Sequence, residues 1–177
     1  MIGAACSSAD PSTVIAGDST TAEHNEADVR FAQGMTHHHS QAVEMAELAS
    51  ARAESAEVKD LAERIAAAQA REVEQMAAWL EDWGEPGEAD GMDGILPGES
   101  VMMTDDDMSA LEASNGPEFD VMFLEMMILH HSSAVDMAEA ELVNGRFPEA
   151  IKLASAIETA QEAEIGEMQK VLEDLGS

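Results

Sequence analysis

The chain has 177 residues, is 45% apolar but only 3% aromatic, contains no tyrosine, and carries a formal net charge of −29. Its length allows one domain with a real core, and its wealth of Ala, Leu, Met and Glu favours helix over sheet. The charge argues against nucleic acid and anionic membrane as partners, since both need a basic footprint; the acidic residues, interspersed with alanine, read as solvated helix faces.

Residues 1–26 read as a disordered tail. The single cysteine, Cys6, rules out an intrachain disulfide and a cysteine-based zinc site. Small residues precede it and a Ser/Thr/Ala/Asp stretch follows, which resembles the cleavage region of a bacterial lipoprotein signal with Cys6 as the lipidated residue. Gly3 stands where that signal usually has leucine. A lipid on Cys6 is the one membrane attachment expected, because no run of about 18 apolar residues exists.

Asn25 can cap a first helix running to about residue 53, and Ser55 can start a second that ends at Gly84. Residues 85–116 form a Gly/Pro/Asp-rich crossover, within which Thr104 can cap a short helix ending near Ser114. Pro117 opens a third long helix that stops at Asn144-Gly145, and Pro148 opens a fourth stopped by Gly176. A shift of 92 residues lays residues 27–84 on 119–176 without a gap, within a second repeat of 117–176: Asp28, Phe31, Met35, His38 and His39 meet Asp120, Phe123, Met127, His130 and His131. Such a register indicates a duplicated helical hairpin. Two hairpins joined by one long crossover describe an all-α, ferritin-like four-helix bundle.

At about 100° per residue, Met35, His38, His39, Ala42, Met45 and Ala46 share one arc of the first helix, and His37 falls nearly opposite. MTHHHSQAVEMA therefore holds an inward pair, His38 and His39, plus an outward bystander; MILHHSSAVDMA repeats the pair as His130 and His131. On the second and fourth helices Gln69, Glu72, Gln161 and Glu164 sit within apolar arcs, where a carboxylate needs a partner. Antiparallel hairpins bring each histidine pair level with its Gln-x-x-Glu. Met35 and Met127 lie about one turn from that level, as do Met76 and Met168, while Met45 and Met137 read as packing. Imidazole with thioether suits copper, especially Cu(I), whereas imidazole with carboxylate suits Cu(II), zinc or iron. The crossover adds Met92, Met102, Met103 and Met108, which a polar loop does not need as core.

The motifs DVRFAQGMTHHHSQAVEMA, LAERIAAAQAREVEQMAAWL, FDVMFLEMMILHHSSAVDMA and LASAIETAQEAEIGEMQ resemble the family called domain of unknown function 305. The resemblance runs from about residue 27 to 175. It implies a ferritin-like bundle, export from a bacterial cytoplasm and, as in some members, copper binding linked to copper tolerance. By resemblance, His38, His39, His130 and His131 carry the metal function, with Met35 and Met127 beside them.

The expected function is thus an extracytoplasmic copper-binding protein, a scavenger, store or chaperone, in which Glu72 and Glu164 are ligands or orient the histidines. The rivals are a di-metal redox enzyme holding iron or manganese, for which one inward carboxylate per half is few, and a metal-free helical interaction module whose polar core sets helix register. Zinc is a further candidate ion.

Overall fold

A computed structural model describes residues 23–87 and 101–176; Cys6, expected from the sequence to carry a lipid, and the crossover residue Met92 lie outside the described residues. Five helices and no strands form an all-α bundle among those residues: α1 (Glu26–Arg52), α2 (Ala56–Trp83), α3 (Asp105–Ala113), α4 (Pro117–Asn144) and α5 (Pro148–Leu175). Their ends follow from local chemistry. The Asn25 side chain accepts from the Ala27 and Asp28 N–H groups, and Asp28 returns a bond to the Asn25 N–H, a reciprocal cap. Ser55 caps α2, and Thr104 with Asp107 caps α3 in the same reciprocal way. Prolines open α4 and α5, where a missing N–H is harmless. Gly84, at φ 74°, ends α2 in the left-handed conformation that glycine adopts without strain.

Helices α1 and α2 form one hairpin and α4 and α5 the other, with α1 against α4 as the seam between them. That seam is antiparallel. At one end the Gly116 N–H donates to the Arg52 carbonyl (2.8 Å). At the other the Asn25 amide donates to the Asn144 carbonyl (3.0 Å). The expected tail is already held from residue 23: Glu23 pairs with Arg146 (2.6 Å) and His24 stacks on Trp83.

The apolar core falls into two parts. One gathers Met45, Leu61, Ile65, Phe119, Phe123, Leu124, Met127 and Met168, and the other Phe31, Met35, Met76, Leu80, Ala134 and Ile157. Burying each Leu, Ile, Met or Phe contributes about 1.5–3 kcal/mol. Between the two parts, at mid-height of the bundle, lies a polar layer.

Candidate metal centre

That layer contains His38, His39, His130 and His131, all with no exposed surface, together with the buried Gln69 and Gln161. Consecutive residues on a helix diverge by about 100°, so each His-His pair serves two directions. His38 and His130 turn into the α1–α4 seam, where their ring centroids stand 3.6 Å apart with planes 34° apart. His39 and His131 turn to the partner helix of their own hairpin: His39 Nε2 lies 2.8 Å from Glu72 Oε2, and His131 Nε2 lies 2.7 Å from Glu164 Oε2. A carboxylate only accepts, so in each pair Nε2 carries the hydrogen, and in the neutral ring Nδ1 keeps its lone pair.

Six ring nitrogens are buried without a hydrogen-bond partner: both on His38, both on His130, and Nδ1 of His39 and His131. Gln69 and the Gln161 carbonyl oxygen are also unpartnered. Each such group costs about 1–3 kcal/mol, so the layer is held against stability. Burial pushes His38 well below its ordinary range, and the neighbouring His130, His39 and His131 push it further. Burial, then His131 and His39, lower His130 to about 3. Burial also lowers His39, and the bond and charge of Glu72 only partly offset it. These rings are therefore neutral at neutral pH, the form that donates a lone pair to a metal.

The inward pair and the outward His37 stand where the helix phase puts them, and His37 is exposed. Met35 and Met127 are fully buried, as are Met76 and Met168, one turn from the histidine level. Met35 and Met76 share one apolar cluster, and Met127 and Met168 the other, so thioethers flank the layer on both sides. Glu72 and Glu164 differ from expectation. Their side chains are 22% and 18% exposed, not sealed within the arc, because a long side chain at the arc's edge reaches its histidine while its far oxygen meets solvent. Gln69 and Gln161 are level with the histidines but bond neither pair. Among the described residues, no three His, Cys, Asp or Glu side chains converge on a point that could hold a metal ion. The donors form three two-residue contacts instead: His38 with His130, His39 with Glu72, and His131 with Glu164.

Sequence reasoning gave no role to Asp28 and Asp120, which hold the hairpin turns, or to Gln41, which holds the crossover. The recurrence of an aspartate at the same place in both halves was the available signal for the first two.

The family described as Domain of unknown function (DUF305) matches residues 28–172. The chain belongs to the DUF305 family. A DUF305 protein of Streptomyces coelicolor inferred to be secreted is similar to it at 34% identity and a TM-score of 0.77, over 85% of this chain and 94% of that one. A DUF305 fragment from Deinococcus radiodurans is 31% identical, with a TM-score of 0.75 over 85% and 97% of the two chains. CopM in its Cu(II)-bound form is 37% identical, with a TM-score of 0.71 over 83% and 96%. CopM has also been solved with Cu(I) and with silver. No curated protein matches the chain. No helix among the described residues of this DUF305 protein is long and apolar enough to cross a membrane.

Proposed function

We propose that this DUF305 protein binds copper outside the cytoplasm and serves in sequestration or tolerance. The observation that carries this reading is the set of six buried, unpartnered ring nitrogens at mid-bundle, flanked by buried thioethers. Imidazole and thioether together are soft donors suited to Cu(I). The residues assigned to the metal are His38, His39, His130 and His131, with Met35 and Met127 beside them. Glu72 and Glu164 each fix the tautomer and orientation of one histidine, leaving its Nδ1 free. The similarity to CopM, solved with Cu(I), Cu(II) and silver, supports the same choice, and the similarity to a protein inferred to be secreted supports the location. Iron or manganese at a di-metal redox centre would call for several carboxylates, and each half brings one, Glu72 or Glu164, to its histidines.

The test is the metal content of untagged protein from cells supplied with copper, iron, zinc and manganese. Copper as the dominant metal is the expected result. Iron or manganese in its place, or no metal at all, would sink the reading.

A further inference from the structure

The crossover re-enters the described structure at Val101 and is fastened at two points before α3 begins. The Val101 N–H donates to Ser133 Oγ on α4 (2.7 Å). The Gln41 side chain on α1 holds Met103 from both sides, accepting from its N–H (2.7 Å) and donating to its carbonyl (2.9 Å). Gln41 stands three residues beyond His38, and Ser133 three beyond His130. In an antiparallel pair those anchors fall about 4.5 Å to opposite sides of the His38–His130 level. The segment from Val101 to Met103 thus runs across the seam at the height of the His38 and His130 rings, with Met102 at its centre.

The helix phase gives the side of the seam. Three residues turn a helix by 300°, so Gln41 lies about 60° from His38, on the flank away from His39. Ser133 bears the same relation to His130 and His131. His39 and His131 face the carboxylates of α2 and α5. The strap therefore closes the opposite flank, over the two histidines whose four nitrogens have no partner. Met103 beneath Gln41 is buried, Val101 is exposed, and Met102 between them is half-buried.

We propose that residues 101–103 form a latched cover over the His38–His130 pair, and that Met102 supplies a thioether to Cu(I) held there. This rests on the copper reading above. A thioether is a soft, uncharged donor, so Met102 serves Cu(I) and contributes little to Cu(II). The Gln41 clasp keeps the cover shut without a covalent bond, and its release opens the seam flank to an incoming or departing ion.

The experiment uses the full chain loaded with Cu(I) or Cu(II) and challenged with a chromophoric chelator. Met102→Leu keeps the volume and the fold. It is expected to weaken Cu(I) about tenfold or more while leaving Cu(II) affinity unchanged, and to lower the sulfur content of the Cu(I) shell seen by X-ray absorption. Gln41→Ala is expected to speed Cu(I) release to the chelator about tenfold by freeing the strap. Parent-like Cu(I) affinity and sulfur shell in Met102→Leu would overturn the ligand, and parent-like release from Gln41→Ala would overturn the cover. Either failure in a parent chain that binds copper leaves the copper reading standing, whereas a parent that takes up no copper overturns both.

Discussion

The two ends of the bundle are closed by aspartates 92 residues apart, and only one of them shares its place with a second carboxyl. In the first turn of α1, Asp28 accepts from the backbone N–H groups of Arg146 (2.9 Å) and Phe147 (2.8 Å) across the seam, and of Asn25 (2.6 Å). In the first turn of α4, Asp120 accepts from Glu54 (3.1 Å) and Ser55 (2.8 Å). Each hairpin turn is thereby tied to the other hairpin. Beside Asp28, however, stands Glu141, buried to 2% exposure and with no donor facing either carboxyl oxygen, where the corresponding residue at the far end is Ala49. Gly145 stands where the far end has Ala53, and a Cβ there would run into the Glu141 carboxyl. The glycine leaves room for the acid, and for the Glu141 backbone carbonyl beside it.

Two adjacent buried carboxyls cannot both ionise, and their surroundings decide which keeps the proton. Burial alone would raise Asp28, but the bond from Glu141 and three backbone N–H groups outweigh it and hold Asp28 below its ordinary value. Burial, followed by the hydrogen bond and charge of Asp28, pushes Glu141 up to about 8. The same closure thus accepts a second carboxyl only as a neutral acid, and that makes one end sensitive to pH.

The strongest way to break the comparison is to remove each aspartate in turn. Asp28→Ala and Asp120→Ala should each cost about 2–4 kcal/mol, because hydrogen bonds to a charged acceptor are worth about 1.5–3 kcal/mol and buried N–H groups are left bare. Asp28→Ala should cost more, since it strands three N–H groups against two. Urea unfolding of both variants checks this; losses under about 0.5 kcal/mol would show that water replaces the aspartates.

The pH dependence sharpens the difference. Glu141 has a raised folded pKa, so above its ordinary value near 4.5 the folded state holds a proton that the unfolded state has released. Stability must then fall as pH rises towards 8, by at most about 1.4 kcal/mol per unit. His38, His39 and His130 have lowered values, so their contribution is lost only as pH falls below 6.5, where the unfolded chain takes up protons. Asp28, also lowered, loses its contribution below 3.8. The window from 6.5 to 8 therefore isolates Glu141. Metal-free protein should become easier to unfold across it, and Glu141→Gln should flatten that slope; a slope unchanged by the substitution would count against a neutral Glu141.

A smaller effect tests the exchange of methyl for acid. Gly145→Ala should cost about 1–3 kcal/mol by overpacking, and in a Glu141→Ala background part of that cost should disappear. Additive losses in the double-mutant cycle would mean that the two positions are independent.

The helix ends were legible because caps and breakers are local: Asn25, Ser55, Thr104, Pro117, Pro148 and Gly84 each act where the sequence places them. The facing of the histidines was legible for a related reason, since helix phase is set by position alone. The partial exposure of Glu72 and Glu164 was not, because an arc position fixes the Cα direction and not the reach of a flexible side chain. Nor was the hold of Gln41 on Met103, or of Asp28 on the far turn. Those partners are 62 and more than 100 residues apart, and nothing local to either reveals the other.

The central claim is that the inward histidines hold copper, and it is tested most directly by Cu(I) and Cu(II) competition titrations. The untagged parent is compared with a variant in which His38, His39, His130 and His131 are all alanine, and with His37→Ala. The quadruple variant should lose high-affinity copper binding while far-ultraviolet circular dichroism shows its helices intact, and His37→Ala should match the parent. Copper bound by the quadruple variant as tightly as by the parent would contradict the account and make the histidine layer a structural one.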